Sequence, residues 1–303
     1  MIQRQGALEI HWADQPRLTV LAIDWLRSTL DPVAREIETW TAAEASRLCW
    51  SDYASVQHDD QAKAAWLAAL IRDGIAFLRG VPQVEQEVEN AARLLGYITE
   101  TNYGRFFDVR ETASPNNLAY TSVTLGVHTD NPYREPVPGY QMLHCLIAAA
   151  EGGESVFVDG FSVASQLREE DAAAFATLAK TLVQFTFRDA QTDLTAYRRL
   201  VKLDDSGCPT AIHYNNRSIS TARVPADHAE EFYRAYRSFA HRLRSAQFEF
   251  RVTLEPGDLV AFDNHRVLHG RTSFRGSRLL QGCYVAHDGV ASSLAVLKRA
   301  IQG

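Results

Sequence analysis

His128, Thr129 and Asp130 put an imidazole and a carboxylate two positions apart, and His269 supplies a second imidazole far downstream, just before Gly270. In extended backbone, side chains two apart leave the same side of the chain, so His128 and Asp130 can reach one ion. Two imidazoles and one carboxylate on one face of a metal leave the other face open for substrate and oxygen. That nitrogen–oxygen set, without thiolate, suits Fe(II). A lone His-x-Asp occurs by chance. The distal His-Gly gives it weight, and so does Arg278, whose planar fork can grip a carboxylate. His144, His213 and His265 lie near the same segments and are expected to be structural hydrogen-bonding residues.

The elements that must carry these residues read mostly as strands. Tyr140–Ile147, Ser155–Val158, Leu182–Phe187, Phe248–Leu254, Leu259–Phe262 and Leu279–Val285 are short apolar runs punctuated by Gly, Pro and Asp, the pattern of a β-sandwich or barrel. Gly74–Gly80 reads as a core strand between glycines. Residues 62–72 are expected to be helical, burying Ala65, Leu67, Leu70 and Ile71. A second helix is expected after Asp227 as its cap, with Phe232, Tyr236, Phe239 and Leu243 in an apolar stripe. Near the N-terminus, Leu8–Trp12 alternates and pairs with Leu18–Ile23 as a hairpin turning at Asp14-Gln15-Pro16. All five tryptophans fall at or before Trp66, which hints at a distinct N-terminal unit or a packing surface there.

The chain's 303 residues suffice for a large core, and a net charge of −6 argues against nucleic acid as partner. No stretch approaches a membrane span, and Met1–Gly6 has no signal-peptide core, so a cytoplasmic enzyme is expected. Cys49, Cys145, Cys208 and Cys283 form no Cys-x-x-Cys pair and are expected to be free thiols.

Over about residues 65–288 the sequence resembles the gamma-butyrobetaine and trimethyllysine hydroxylase group of the taurine-dioxygenase-like oxygenases. The anchors are Asn116–Thr121, His128–Tyr133, Pro138–Cys145, Gly152–Ser155, Val158–Phe161, Asp263–Arg271 and Gln281–Tyr284. The resemblance implies a mostly β fold with flanking helices around a double-stranded β-helix (jelly-roll) core. It implies Fe(II) held by His128, Asp130 and His269, and 2-oxoglutarate and O2 as cosubstrates. Arg278 would hold the distal carboxylate of 2-oxoglutarate, with Ser155 as helper. An aromatic cage at Tyr103, Phe107, Tyr120 and Tyr284 would take a trimethylammonium group, and Asn117, aided by Asn215 or Asn216, its acidic end. Phe107 stands where the group's animal enzymes carry Trp.

The implied activity is hydroxylation of a small quaternary ammonium acid, gamma-butyrobetaine to carnitine first. The alternatives are a phosphonate such as 2-trimethylaminoethylphosphonate, another small acid such as a sulfonate, or a non-catalytic metal-dependent binding module. Relatives carry an N-terminal zinc domain. Here residues 1–50 form only a shortened remnant without its ligands, ahead of a catalytic domain at 51–303. No structural zinc is expected, and dimerisation is left open.

Overall fold

The computed structural model describes residues 2–4, 6–30, 37–111, 121–149 and 151–302. The chain divides into compact units at residues 1–36 and 37–303. In the smaller unit, strands Ile2–Arg4, Ala7–His11 and Leu18–Ala22 form an antiparallel sheet, followed by helix Ile23–Leu30. The expected hairpin is present, with Ala7 opposite Ala22 and His11 opposite Leu18. Trp12 and Trp25 are exposed within this unit, whereas Trp40 and Trp66 are core residues of the larger one.

The larger unit is mostly β with flanking helices. One sheet has six strands in the order Trp50–Asp52, Ile75–Arg79, Leu259–Asp263, Tyr140–Ile147, Leu279–Val285 and Phe107–Val109. A second has four, in the order Phe250–Val252, Ser155–Asp159, Val267–Arg271 and Leu125–His128. Strand alternation explains why they face each other. Ile75, Phe77, Val260, Phe262, Leu143 and Leu280 of the first sheet share one buried cluster with Phe157 and Val267 of the second. Phe157 meets Phe77 edge-on at 6.1 Å and Phe262 at 5.5 Å. The intervening residues point the other way. Ala76, Leu78, Met142, Leu259 and Ala261 pack under helix Asp60–Asp73, while Val156 and Val158 pack under helices Gly160–Glu170 and Ala229–Arg242. Each fully buried large apolar side chain contributes about 1.5–3 kcal/mol, so both faces of both sheets are driven to be covered.

Several local expectations shift. Helix Asp60–Asp73 is capped by Asp59, which accepts from the Gln61 and Ala62 amides, and it ends at Gly74 with φ 73°. Its buried stripe runs through Trp66, Leu67, Ala69 and Leu70, so Ala65 falls on the exposed side, one position off the expected face. Asp227 does not cap the later helix. It sits in a 3-10 turn, Ala226–His228, and His228 occupies the N-cap without a side-chain bond. Phe232, Phe239 and Leu243 are buried as expected, and Tyr236 packs half-buried against them. The expected Phe248–Leu254 strand shortens to Phe250–Val252, because Phe248 belongs to the turn closing the helix, its amide bonded to the Ser245 carbonyl. All four cysteines are free thiols.

One buried ion pair ties the sheets to their surroundings. Arg266, 2% exposed, donates to Asp159 through Nε at 3.1 Å and a terminal nitrogen at 2.7 Å, and to the Arg72 and Glu38 carbonyls. Asp159 also caps helix Gly160–Glu170 through the Phe161 amide and accepts from the Trp40 amide. The turn that leads into His269 is therefore pinned.

Candidate active site

His128 ends strand Leu125–His128, and His269 lies directly opposite it in the neighbouring strand. Their rings sit 4.4 Å apart. Gly270 permits this approach: a Cβ there would lie 2.4 Å from the Leu125 carbonyl oxygen and push the strands apart. Asp130 lies just beyond the strand, yet its Oδ1 is 3.3 Å from His128 Nε2 and its Oδ2 is 3.7 Å from His269 Nε2. The three ligand atoms fall within 4.8 Å of one another.

The chain around the triad sets its protonation. His128 Nδ1 lies 3.0 Å from the Gly126 carbonyl, so it carries the proton and leaves Nε2 with a free lone pair. Burial pushes the His128 pKa down, and burial takes His269 down to about 3, so both rings are neutral at pH 7. Burial works against ionisation of Asp130, but the two imidazoles and the Tyr284 hydroxyl outweigh it and hold the carboxyl below the usual range. Neutral imidazoles and an ionised carboxylate are the forms that bind a metal. The Asp130 backbone is fixed by Asn264, which accepts its N–H at 2.6 Å and donates to its carbonyl at 3.1 Å.

The triad opens on a cavity of about 450 Å³. Arg278 and Ser155 line it, both buried. Arg278 has no carboxylate or carbonyl partner among the described residues, and a buried guanidinium facing open space is a receptor for an anion. Arg271, also on the wall, is instead spent on the Val123 and Thr121 carbonyls.

An aromatic wall faces the triad. Tyr103, Phe107 and Tyr284 line it, with ring centroids 6.4 Å apart for Tyr103–Phe107 and 5.2 Å for Phe107–Tyr284. Gly282 makes room for Phe107, whose ring would lie 2.7 Å from a Cβ there. Asn117 and Tyr120 lie outside the described residues. Asn215 lines the cavity, with its side chain bonded to the Thr129 carbonyl and the Arg217 amide, whereas Asn216 is exposed.

Sequence reasoning missed Asn131, Tyr133 and Phe187. The Tyr103 and Tyr133 hydroxyls meet at 3.2 Å, Tyr133 donates to Asn131 at 2.7 Å, Asn131 donates to Tyr284 at 3.3 Å, and Tyr284 donates to Asp130 Oδ2 at 2.7 Å. One hydrogen-bonded chain thus joins the wall to the triad. Phe187 stacks on Tyr133 with centroids 5.1 Å apart. Asn131 and Tyr133 stand inside the His128–Tyr133 segment, and that proximity was the available signal. Nothing local marked Phe187. Of the other histidines, His213 Nδ1 lies 2.8 Å from the Arg199 carbonyl, as a structural role requires. His144 is fully buried and stands outside the cavity lining, so it takes no part in the triad.

A family model described as "Taurine catabolism dioxygenase TauD, TfdA family" matches residues 37–284. The gamma-butyrobetaine dioxygenase of Pseudomonas sp. (strain AK-1) is 36% identical over 97% of this chain and 79% of that protein. The human gamma-butyrobetaine dioxygenase is 34% identical over 83% of this chain and 67% of its own. A crystal structure of asparagine oxygenase superposes with a TM-score of 0.60 at 20% identity, over 78% of this chain and 84% of that one.

Proposed function

The chain belongs to the TauD/TfdA dioxygenase family and is an Fe(II)- and 2-oxoglutarate-dependent enzyme, and from that premise we propose that it hydroxylates gamma-butyrobetaine to carnitine. The observation that carries this reading is the double use of Tyr284. Its ring belongs to the aromatic wall and its hydroxyl holds Asp130. A cation held against that wall is thereby held beside the triad. We read the two facing sheets as the double-stranded β-helix of this family, and the compact unit at residues 1–36 as the remnant of its N-terminal domain, shorter than the expected 1–50 because Trp40, Ala45 and Leu48 pack in the core of the larger unit.

In this reading His128 Nε2, His269 Nε2 and an Asp130 oxygen hold the iron. Bound there, iron couples the oxidative decarboxylation of 2-oxoglutarate to insertion of one oxygen atom into a substrate C–H bond. Arg278 receives the distal carboxylate of 2-oxoglutarate as a charge-assisted pair, and the Ser155 hydroxyl adds a donor. The Gly126 carbonyl keeps His128 in one tautomer. Tyr284 stays protonated, because burial and the neighbouring Asp130 charge raise its pKa well above that of a free phenol, so it remains a donor. Tyr103, Phe107 and Tyr284 take the trimethylammonium group, each good contact giving roughly 0.5–2 kcal/mol. Tyr120 is proposed to complete the cage, and Asn117 to meet the acidic end.

The cage reads the cation, so a carboxylate and a phosphonate tail both reach the same position. Oxygen uptake and succinate formation with Fe(II), 2-oxoglutarate and each substrate test the reading. Substrate-dependent uptake is expected with gamma-butyrobetaine. Turnover confined to the phosphonate reassigns the tail. Absence of succinate with every trimethylammonium acid rejects the proposal.

A further inference from the structure

A second two-histidine, one-carboxylate cluster lies away from the cavity. Asp263, His265 and His287 have ligand atoms within 4.8 Å of one another, and none of them lines the cavity. We propose that these three residues form a second divalent-cation site, of the zinc class.

The cluster is preorganised by elements that cannot easily shift. Asp263 ends strand Leu259–Asp263, with its amide bonded to the Gly74 carbonyl. His265 is flanked by Asn264 and Arg266, both fully or nearly fully buried, and its carbonyl accepts from the Ile212 amide. His287 opens the C-terminal helix His287–Gln302. All three side chains are only partly buried, so an ion can enter.

The donor chemistry suits zinc. Asp263 Oδ1 lies 2.8 Å from His287 Nε2. His265 and His287 rings approach to 4.4 Å. Around a tetrahedral zinc, ligand atoms about 2.1 Å from the metal stand about 3.4 Å apart, so less than about 1.5 Å of side-chain motion closes the site. His265 Nε2 has only a long 3.4 Å contact, to the Val137 carbonyl, to give up. On binding, His287 Nε2 exchanges its 2.8 Å contact with Asp263 Oδ1 for the metal. Water fills the fourth position.

The site also touches the first one. Asn264, between Asp263 and His265, holds the Asp130 backbone at 2.6 and 3.1 Å. A cation at the second site fixes the turn that carries Asn264.

The test is zinc content per chain after loading chelator-treated protein with Zn2+ and removing free metal by gel filtration. The unaltered chain is expected to hold two zinc ions, one per cluster. His128→Ala/His269→Ala is expected to hold one, and zinc is expected to raise its Tm. Adding His265→Gln and His287→Gln is expected to abolish both the bound ion and the Tm rise. Asp263→Asn in the first background repeats the test where the fourfold variant fails to fold. A His128→Ala/His269→Ala protein without zinc overturns the proposal. So does zinc that persists after the second cluster is altered.

Discussion

Replacing Tyr284 by Phe separates two roles that one side chain combines. The hydroxyl donates to Asp130 Oδ2 at 2.7 Å and accepts from Asn131 at 3.3 Å, while the ring faces Phe107 at 5.2 Å. Tyr284→Phe keeps the ring and deletes the donor. A hydrogen bond to a charged group contributes about 1.5–3 kcal/mol, and loss of a partner that orients a metal ligand typically weakens metal binding about 10–100-fold. We expect the Fe(II) concentration giving half-maximal rate to rise about 10–100-fold, with the KM for the trimethylammonium substrate changed less than about threefold. Tyr284→Leu removes the aromatic face as well, and its substrate KM is expected to rise by a further factor of roughly 2–30. The assay is initial oxygen consumption against Fe(II) and then against substrate, with 2-oxoglutarate saturating. Unchanged iron dependence in Tyr284→Phe refutes the argument that the hydroxyl positions Asp130. A substrate KM raised as far as in Tyr284→Leu refutes the separation of roles.

Further expectations follow from the same geometry. Arg278→Met removes two charge-assisted donors of about 1.5 kcal/mol each, so the KM for 2-oxoglutarate should rise roughly 100-fold with little change in KM for the other substrate; equal effects on both place Arg278 elsewhere in the chemistry. Arg266→Met strands the buried Asp159 carboxylate and should cost about 3–5 kcal/mol in chemical denaturation, whereas a cost under about 1 kcal/mol shows the pair to be expendable. Burial depresses the His213 and His265 pKa values to about 3 and 4, below the ordinary 6.5. The folded chain therefore binds fewer protons than the unfolded one, and stability is lost as pH falls from 6.5 toward those values. By pH 5.5 each histidine should remove about 1.4 kcal/mol, which urea denaturation at pH 7.5 and 5.5 measures. A His213→Gln chain with the same pH slope as the unaltered one contradicts this account.

The site was legible in part because its chemistry is concentrated in short segments. His128 and Asp130 stand two residues apart, and Arg278 follows His269 closely enough to be found with it. The pairing that sets His269 opposite His128 joins strands some 140 residues apart in sequence, and it depends on the Gly270 approach, which no local pattern reveals. Phe187 reaches the cavity from an unrelated hairpin, Val183–Arg188 with Asp193–Arg198. Its apolar run announced a strand and nothing about the wall it joins. Strands Tyr140–Ile147 and Leu279–Val285 were readable to the residue because they are central and buried on both faces. The edge strand Phe250–Val252 was overdrawn, since its flanking apolar residues Phe248 and Leu254 are buried outside any strand and look the same in sequence. Ala65 and Asp227 missed for a similar reason. A helix's buried face and its cap are decided by what packs against it, and propensity alone cannot supply that.

The most direct test of the central claim is product analysis under oxygen-18 gas with Fe(II), 2-oxoglutarate and gamma-butyrobetaine. The account expects carnitine and succinate in equal amounts, each carrying one labelled oxygen atom. Succinate formed without labelled carnitine, or neither product formed, contradicts it.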